Sequence, residues 1–252
     1  MEYVEFQDIT IIGKILIKRV SNSTFYNVSY SGLFNTRDQR NKQLFFTYST
    51  FYSEIIKEGR ENLIRLYYGN YYFNHCIFYG KKEATDSIIK LTSDSGYPLK
   101  DSISFYDCIF NGNYGGCIYI SNNYKDRKAF IENIYIFNEG SKFSQKGTGF
   151  IASIYNYSNL ILRNVYADNV YCDSTNCCAF FISGDSEMDV SDVTINNIYG
   201  NGGGLIFKSI DPYEQGFNCI LKNLTVNNME MNNNQESALL SIHDKGNLYI
   251  KE

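Results

Sequence analysis

The chain has no tryptophan, two prolines and two histidines among its 252 residues. So little proline leaves few rigid turns. Lys and Arg form no long run and the net charge is -4. That argues against a nucleic-acid partner, because neutralising phosphates needs clustered cations. Lys81-Lys82 and the Arg37, Arg40 and Lys42 group suit solvated loops. The apolar run Ile9 to Ile17 is too short to span a bilayer, and Met1 is followed at once by Glu2 and Tyr3, without the basic and apolar regions of a signal peptide.

What is abundant is aromatic: Tyr, Phe and Trp positions make up 16% of the chain, all of them Tyr or Phe. Such residues favour strands. The stretch from Ile103 to Ile120, ISFYDCIFNGNYGGCIYI, shows the unit: three short apolar strands separated by two tight polar corners.

If the first residue of each second strand is taken as an anchor, anchors fall at Ile9, Val28, Ile55, Cys76, Cys108, Ile134, Val165, Val193 and Leu224. Their spacing averages about 27 residues, a period that signals solenoids. Three residues before each anchor lies a large apolar residue, from Phe6 and Phe25 through Tyr52 to Leu221. Immediately before it stands a polar one, such as Asp8, Asn27, Glu54, His75, Asp107 or Asn133. The first set reads as an internal stack, and the second as a corner whose short acceptors satisfy backbone donors. Four residues after the later anchors come Asn138, Asn169, Asn197 and Asn228, whose amides can bond both corner and neighbour. Small residues such as Ser87, Gly116, Gly149 and Cys178 open the third strand, where space must be tight.

These features predict an all-β, right-handed parallel β-helix of about nine turns, forming one domain over 1–252. Neither end shows a capping amphipathic helix, and Asn247–Lys251 begins a tenth turn, so the expected chain is a piece of a longer, uncapped solenoid.

Two resemblances follow from particular motifs. The alternation N-x-ϕ-x-x-N with G-G-ϕ-ϕ is similar to the right-handed β-helix repeats of the pectate-lyase-like superfamily, over nearly the whole chain. Phe110-Asn111-Gly112-Asn113 with Gly115-Gly116-Cys117-Ile118 resembles the F-x-x-N and G-G-A-[ILV] signatures of polymorphic outer-membrane-protein repeats, and Gly203-Gly204-Leu205-Ile206 echoes the second of these. The narrower likeness implies a surface passenger used in adhesion. The broader one implies a polysaccharide lyase or glycoside hydrolase acting on acidic plant or microbial polysaccharide.

A glycosidase needs paired carboxylates, and a lyase needs calcium-binding acids beside a cationic base. Among the outward residues two before each anchor, Glu132 is the one acid; it neighbours Arg163 and is expected to pair with it. Asp168, Asp185 and Asp189 read as loop residues near the seventh and eighth turns, where a weak calcium site stays open as an alternative. The Gly-His-Gly, Asp-Asp and Asn-Thr-Asp signatures of polygalacturonases are missing. No catalytic residue, metal site or cofactor is therefore assigned. His75, at a corner, is expected to make a structural hydrogen bond.

Cys76 and Cys108 read as small core residues. Cys172, Cys177 and Cys178 crowd one loop, where Cys172 can bridge to one of the other two in an oxidising compartment; no C-x-x-C pair suggests zinc. Of four N-x-[ST] sequons, Asn27 and Asn223 fall in the corner row, where a glycan would clash, so Asn22 and Asn156, read as loop residues, are the expected acceptors.

The residues one after each anchor face outward and include Ile56, Ile77, Ile109, Tyr135 and Tyr166, five apolar residues in succession. Phe51, Tyr72, Phe130 and Ile161, four before the anchor, extend the band. Loops or further chain can cover it; uncovered, it forms a binding stripe of Tyr106, Ile109, Tyr135 and Tyr166 for glycans or surface proteins. The expected protein is a non-catalytic extracellular or cell-surface adhesion module with no membrane span in this chain.

Overall fold

A computed structural model describes residues 3–17, 22–36, 43–53, 63–67, 69–81, 86–92, 102–112, 115–121, 127–138, 140–141, 149–172, 177–200, 205–210, 216–231, 240–243 and 246–252. Among these residues there is no helix. They form a parallel β-solenoid in which each strand lies on its counterpart from the level before, as Tyr3–Gln7 does on Asn22–Tyr26 and Ile118–Ser121 on Gly149–Tyr155. First and second strands of every level join one sheet of sixteen strands, and third strands form another of nine.

The alternation that builds the column is visible at the fifth level. Phe105 is buried, Tyr106 points out, Asp107 turns the chain, and Cys108 is buried again. The turn works because Asp107 takes a left-handed backbone conformation (φ 51°), as do Asp8, Asn27, His75, Asn133, Asn164, Asp192 and Asn223 at the same place. Asn and Asp tolerate that conformation because their short side chains bond locally. From the sixth level onward the corner no longer interrupts the strand, so Arg127–Phe137, Ser158–Cys172, Ser186–Gly200 and Phe217–Met231 run through it.

The second corner solves the same problem with two residue types. Gly13, Gly32 and Gly112 occupy it early and Asn138, Asn169, Asn197 and Asn228 late, all with positive φ. The late asparagines tie levels together: Asn138 Nδ2 donates to Asn111 (2.9 Å), Asn169 to Asn138, and Asn228 to Asn197 (3.1 Å). Crowding at the third-strand entrance is also present, since a Cβ on Gly116 would lie 2.6 Å from the Gly149 carbonyl oxygen.

Inside the early levels, the row before the first corner is a pile of rings: Phe6, Phe25, Phe46, Phe73 and Phe105 stack at 4.6–4.9 Å. A second pile, Phe51, Phe78 and Phe110, meets it edge to face. Later levels fill the same rows with Ile131, Leu162 and Val190, then Ile136, Ala167 and Ile195. Tyr30 is buried among them, with its hydroxyl donating to the Gly13 carbonyl (2.6 Å) and accepting from the Ile15 amide (3.0 Å). Burial pushes that phenol up to about 12.

One level departs from the sequence expectation. Phe46, not Tyr52, pairs with Phe25 and Phe73, so the third anchor is Ser49 and its corner residue is Tyr48 (φ 51°). Glu54, Ile55 and Ile56 lie outside the described residues. Both frames place an aromatic three residues before the anchor, but only the earlier one lets Ser49 Oγ accept from the Val28 amide (3.2 Å) and donate to nearby carbonyls. The corner row is therefore not uniformly polar. Phe51 accordingly faces inward, buried between Tyr30 and Phe78, rather than outward.

Candidate binding surface

Three outward rows border the first corner, and strand alternation sets each of them. One residue past the anchor the ladder runs Thr50, Ile77, Ile109, Tyr135, Tyr166, Thr194. Thr50 takes the place expected of Ile56, so the apolar succession is four residues long. Tyr135 is 46% exposed; Ile109 and Tyr166 are half-buried. Tyr106, 44% exposed, lies across the corner on the neighbouring face.

The next outward row, three past the anchor, holds Tyr52, Tyr79, Asn111, Phe137 and Asp168. It did not stand out in the sequence, although the same alternation that puts Ile109 outward also puts Asn111 there. Tyr52 and Tyr79 stack at 5.1 Å with planes 6° apart. Each ring therefore covers a face of the other and leaves mainly edges toward solvent. Tyr166 is held as well: its hydroxyl donates to Asp168 (3.4 Å) and accepts from Asn196 (3.1 Å). Tyr135 is 46% exposed, and among the described residues its ring has no aromatic contact and its hydroxyl no hydrogen-bond partner.

The ion pairing differs from expectation. Arg163 turns away from Glu132 and pairs with Asp189 (Nη2 to Oδ2 2.8 Å), donating also to the Asp189 and Leu162 carbonyls. Two backbone acceptors and a carboxylate on one side outweigh the lone carboxylate on the other. Lys222 Nζ lies 3.8 Å from the second Asp189 oxygen. Asp168 is on the second-strand face, bonded by Asn197 (2.8 Å), while Asp189 is on the first-strand face, so the two acids do not share a site. Among the described residues no group of three His, Cys, Asp or Glu could hold a metal ion. His75 Nδ1 approaches Asp107 Oδ2 at 3.4 Å, with its ring beside Tyr48 and Tyr106.

Cys172 and Cys177 form a disulfide; Cys76, Cys108, Cys117, Cys178 and Cys219 are free and buried. Burial, with the Cys76 thiol next to it, holds the Cys108 thiol well above the ordinary range, as suits inert core residues. Among the sequons, Asn27 and Asn223 donate their amides to Asp8 (2.6 Å) and Asp192 (2.8 Å). Asn156 is half-buried against Gly184, whose added Cβ would lie 3.1 Å from its Oδ1. Asn22 opens the strand Asn22–Tyr26 instead of lying in a loop, and it is exposed.

These corner bonds set a pH response. The Asn27 amide, then Gln7, holds Asp8 below the ordinary 3.8, and Asn223, then Ser191, does the same for Asp192. A depressed folded value means the contribution is complete above the ordinary aspartate range and disappears as pH falls through the lowered value. Carboxyl NMR titration should find both midpoints under 3.8. Asn223→Ala should return Asp192 toward the ordinary value and leave Asp8 unchanged; equal midpoints in parent and variant would refute the ladder.

The fold defines a parallel β-helix with an aromatic outer band. Comparison with protein-family models, with curated proteins and with solved structures returned no match.

Proposed function

We propose that this protein is a non-catalytic β-helical module that binds a glycan or protein partner along its outward aromatic band, at the cell surface or outside the cell. The observation that carries this is the exposed Tyr135, whose ring and hydroxyl have no partner among the described residues, beside the half-buried Ile109 and Tyr166 and across the corner from Tyr106. An exposed amphipathic ring suits sugar stacking and protein anchoring alike. The Cys172–Cys177 disulfide supports an oxidising compartment. No helix among the described residues is long and apolar enough to cross a membrane.

The test is a glycan array and a surface-protein panel probed with parent and variants. Tyr135→Ala should weaken binding roughly tenfold, the scale of losing one aromatic anchor. Tyr166→Ala should cost less, because its hydroxyl is already engaged by Asp168 and Asn196. No binding by the parent, or affinity unchanged in both variants, would remove the proposal.

A further inference from the structure

The first-strand face carries an outward row four before the anchor: Phe45, Tyr72, Ser104, Phe130, Ile161 on successive levels. Phe45 and Tyr72 stack at 4.7 Å with planes 7° apart, which lays the Tyr72 ring across the column and turns its other face toward the level of Ser104. Serine has no ring to continue the pile. Phe130, on the far side of Ser104, is 39% exposed and has no ring contact among the described residues.

The result is a slot in the aromatic row. Two levels of a parallel sheet span about 9.6 Å at the backbone. A flat group between two rings needs two van der Waals contacts, about 7–8 Å in all. One planar group therefore fits between Tyr72 and Phe130, above Ser104.

The two ends of the slot carry opposite charges: the exposed Lys128 lies two residues before Phe130 on the same outward side, and the end beside Tyr106 is acidic. Glu132 lies two residues beyond Phe130 on the same outward side, directly beside Tyr106. Its register neighbour Arg163 is committed to Asp189, and the Glu132 carboxylate has no ion pair or hydrogen bond among the described residues. A free carboxylate beside exposed ring faces attracts a cation, and a guanidinium is both flat and a two-point donor to carboxylate.

We infer that the slot between Tyr72 and Phe130, bordered by Tyr106 and Glu132, receives an arginine side chain of a protein partner. This rests on the proposal that the outer aromatic band is a binding surface, and it commits that surface to a basic protein. Phe130 is 39% and Tyr106 44% exposed, and an exposed cation–π contact alone is weak. The arginine must therefore arrive on a chain that also lies along neighbouring rows.

The test is fluorescence anisotropy with a labelled Gly-Arg-Gly-Arg-Gly peptide and its citrulline counterpart, which keeps the planar shape and loses the charge. The arginine peptide should bind about tenfold more tightly than the citrulline one. Ser104→Phe, which continues the ring pile, and Glu132→Gln, which keeps the shape of the side chain, should each weaken it by about tenfold. Ser104→Phe should leave the urea midpoint at or above that of the parent, separating slot filling from misfolding. Equal binding of the citrulline peptide, indifference to Ser104→Phe, no binding at millimolar peptide, or equal competition by free tetramethylammonium would each overturn the inference. Glycan binding that depends on Tyr135, with no arginine-peptide binding, would defeat this inference and leave the broader proposal standing.

Discussion

Replacing Phe73 with alanine is expected to destabilise the column by about 3–5 kcal/mol. Phe73 is 1% exposed and stacks on Phe46 at 4.7 Å and on Phe105 at 4.9 Å, while Phe78 meets its edge at 5.6 Å. The void cannot collapse easily. Backbone ladders on both sides hold the level spacing, so the rings above and below cannot slide into the gap. Urea denaturation of parent and variant measures the loss, and amide exchange shows where it spreads. In a solenoid each level contacts only its neighbours, so protection should fall most in 43–47 and 102–106 and least in the later levels. A loss under about 1 kcal/mol would mean that the ring pile contributes no more than an exposed position.

The second large effect is at Gly200, the last residue of the strand Ser186–Gly200. Its φ is 146°, and an added Cβ would sit 1.9 Å from the Cys172 carbonyl oxygen and 2.6 Å from its carbon. Cys172 is held by the strand Ser158–Cys172 and by its disulfide to Cys177, so the backbone has no room to give way. Gly200→Ala should therefore cost about 3 kcal/mol or more, from backbone clash and strain together. Gly112 is the control: its φ is also positive, at 82°, but nothing lies within 4 Å of a Cβ built there. Gly112→Ala should cost only about 1 kcal/mol, the conformational part alone. Similar losses at the two sites, by thermal or urea melts, would show that conformation rather than close approach limits these glycines.

Much of the architecture was legible because its rules are local. The period of two, the polar corner residue and the small residue at the third-strand entrance each depend on a few neighbouring positions. The eight other anchors fall where the repeat spacing places them, with Ile134, Val165 and Val193 vertically adjacent. The third level was misplaced because two local frames satisfy the same pattern. Phe46-Thr47-Tyr48-Ser49 has a tyrosine at the corner, whereas Tyr52-Ser53-Glu54-Ile55 has the more usual acidic residue there. Buried hydrogen bonds of Ser49 and the continuous pile through Phe46 decide between them, and both are contacts between levels.

The candidate surface was legible in part for the same reason. Tyr106, Ile109, Tyr135 and Tyr166 do lie on outward rows, which alternation alone requires. Whether each ring is free was not a local matter. Tyr52 and Tyr79 spend their faces on each other, Tyr166 is tied by Asn196 and Asp168, and Tyr135 has no such partner.

Sequence alone determined the inward rows and the polar corners, which follow from local side-chain alternation and corner chemistry, and the coiled parallel sheet, which follows from their recurrence about every 27 residues. The tertiary structure decided which charges pair and which rings are already engaged. Arg163 had two carboxylates within reach, on the levels before and after it, and only packing in three dimensions selects Asp189 and leaves Glu132 free.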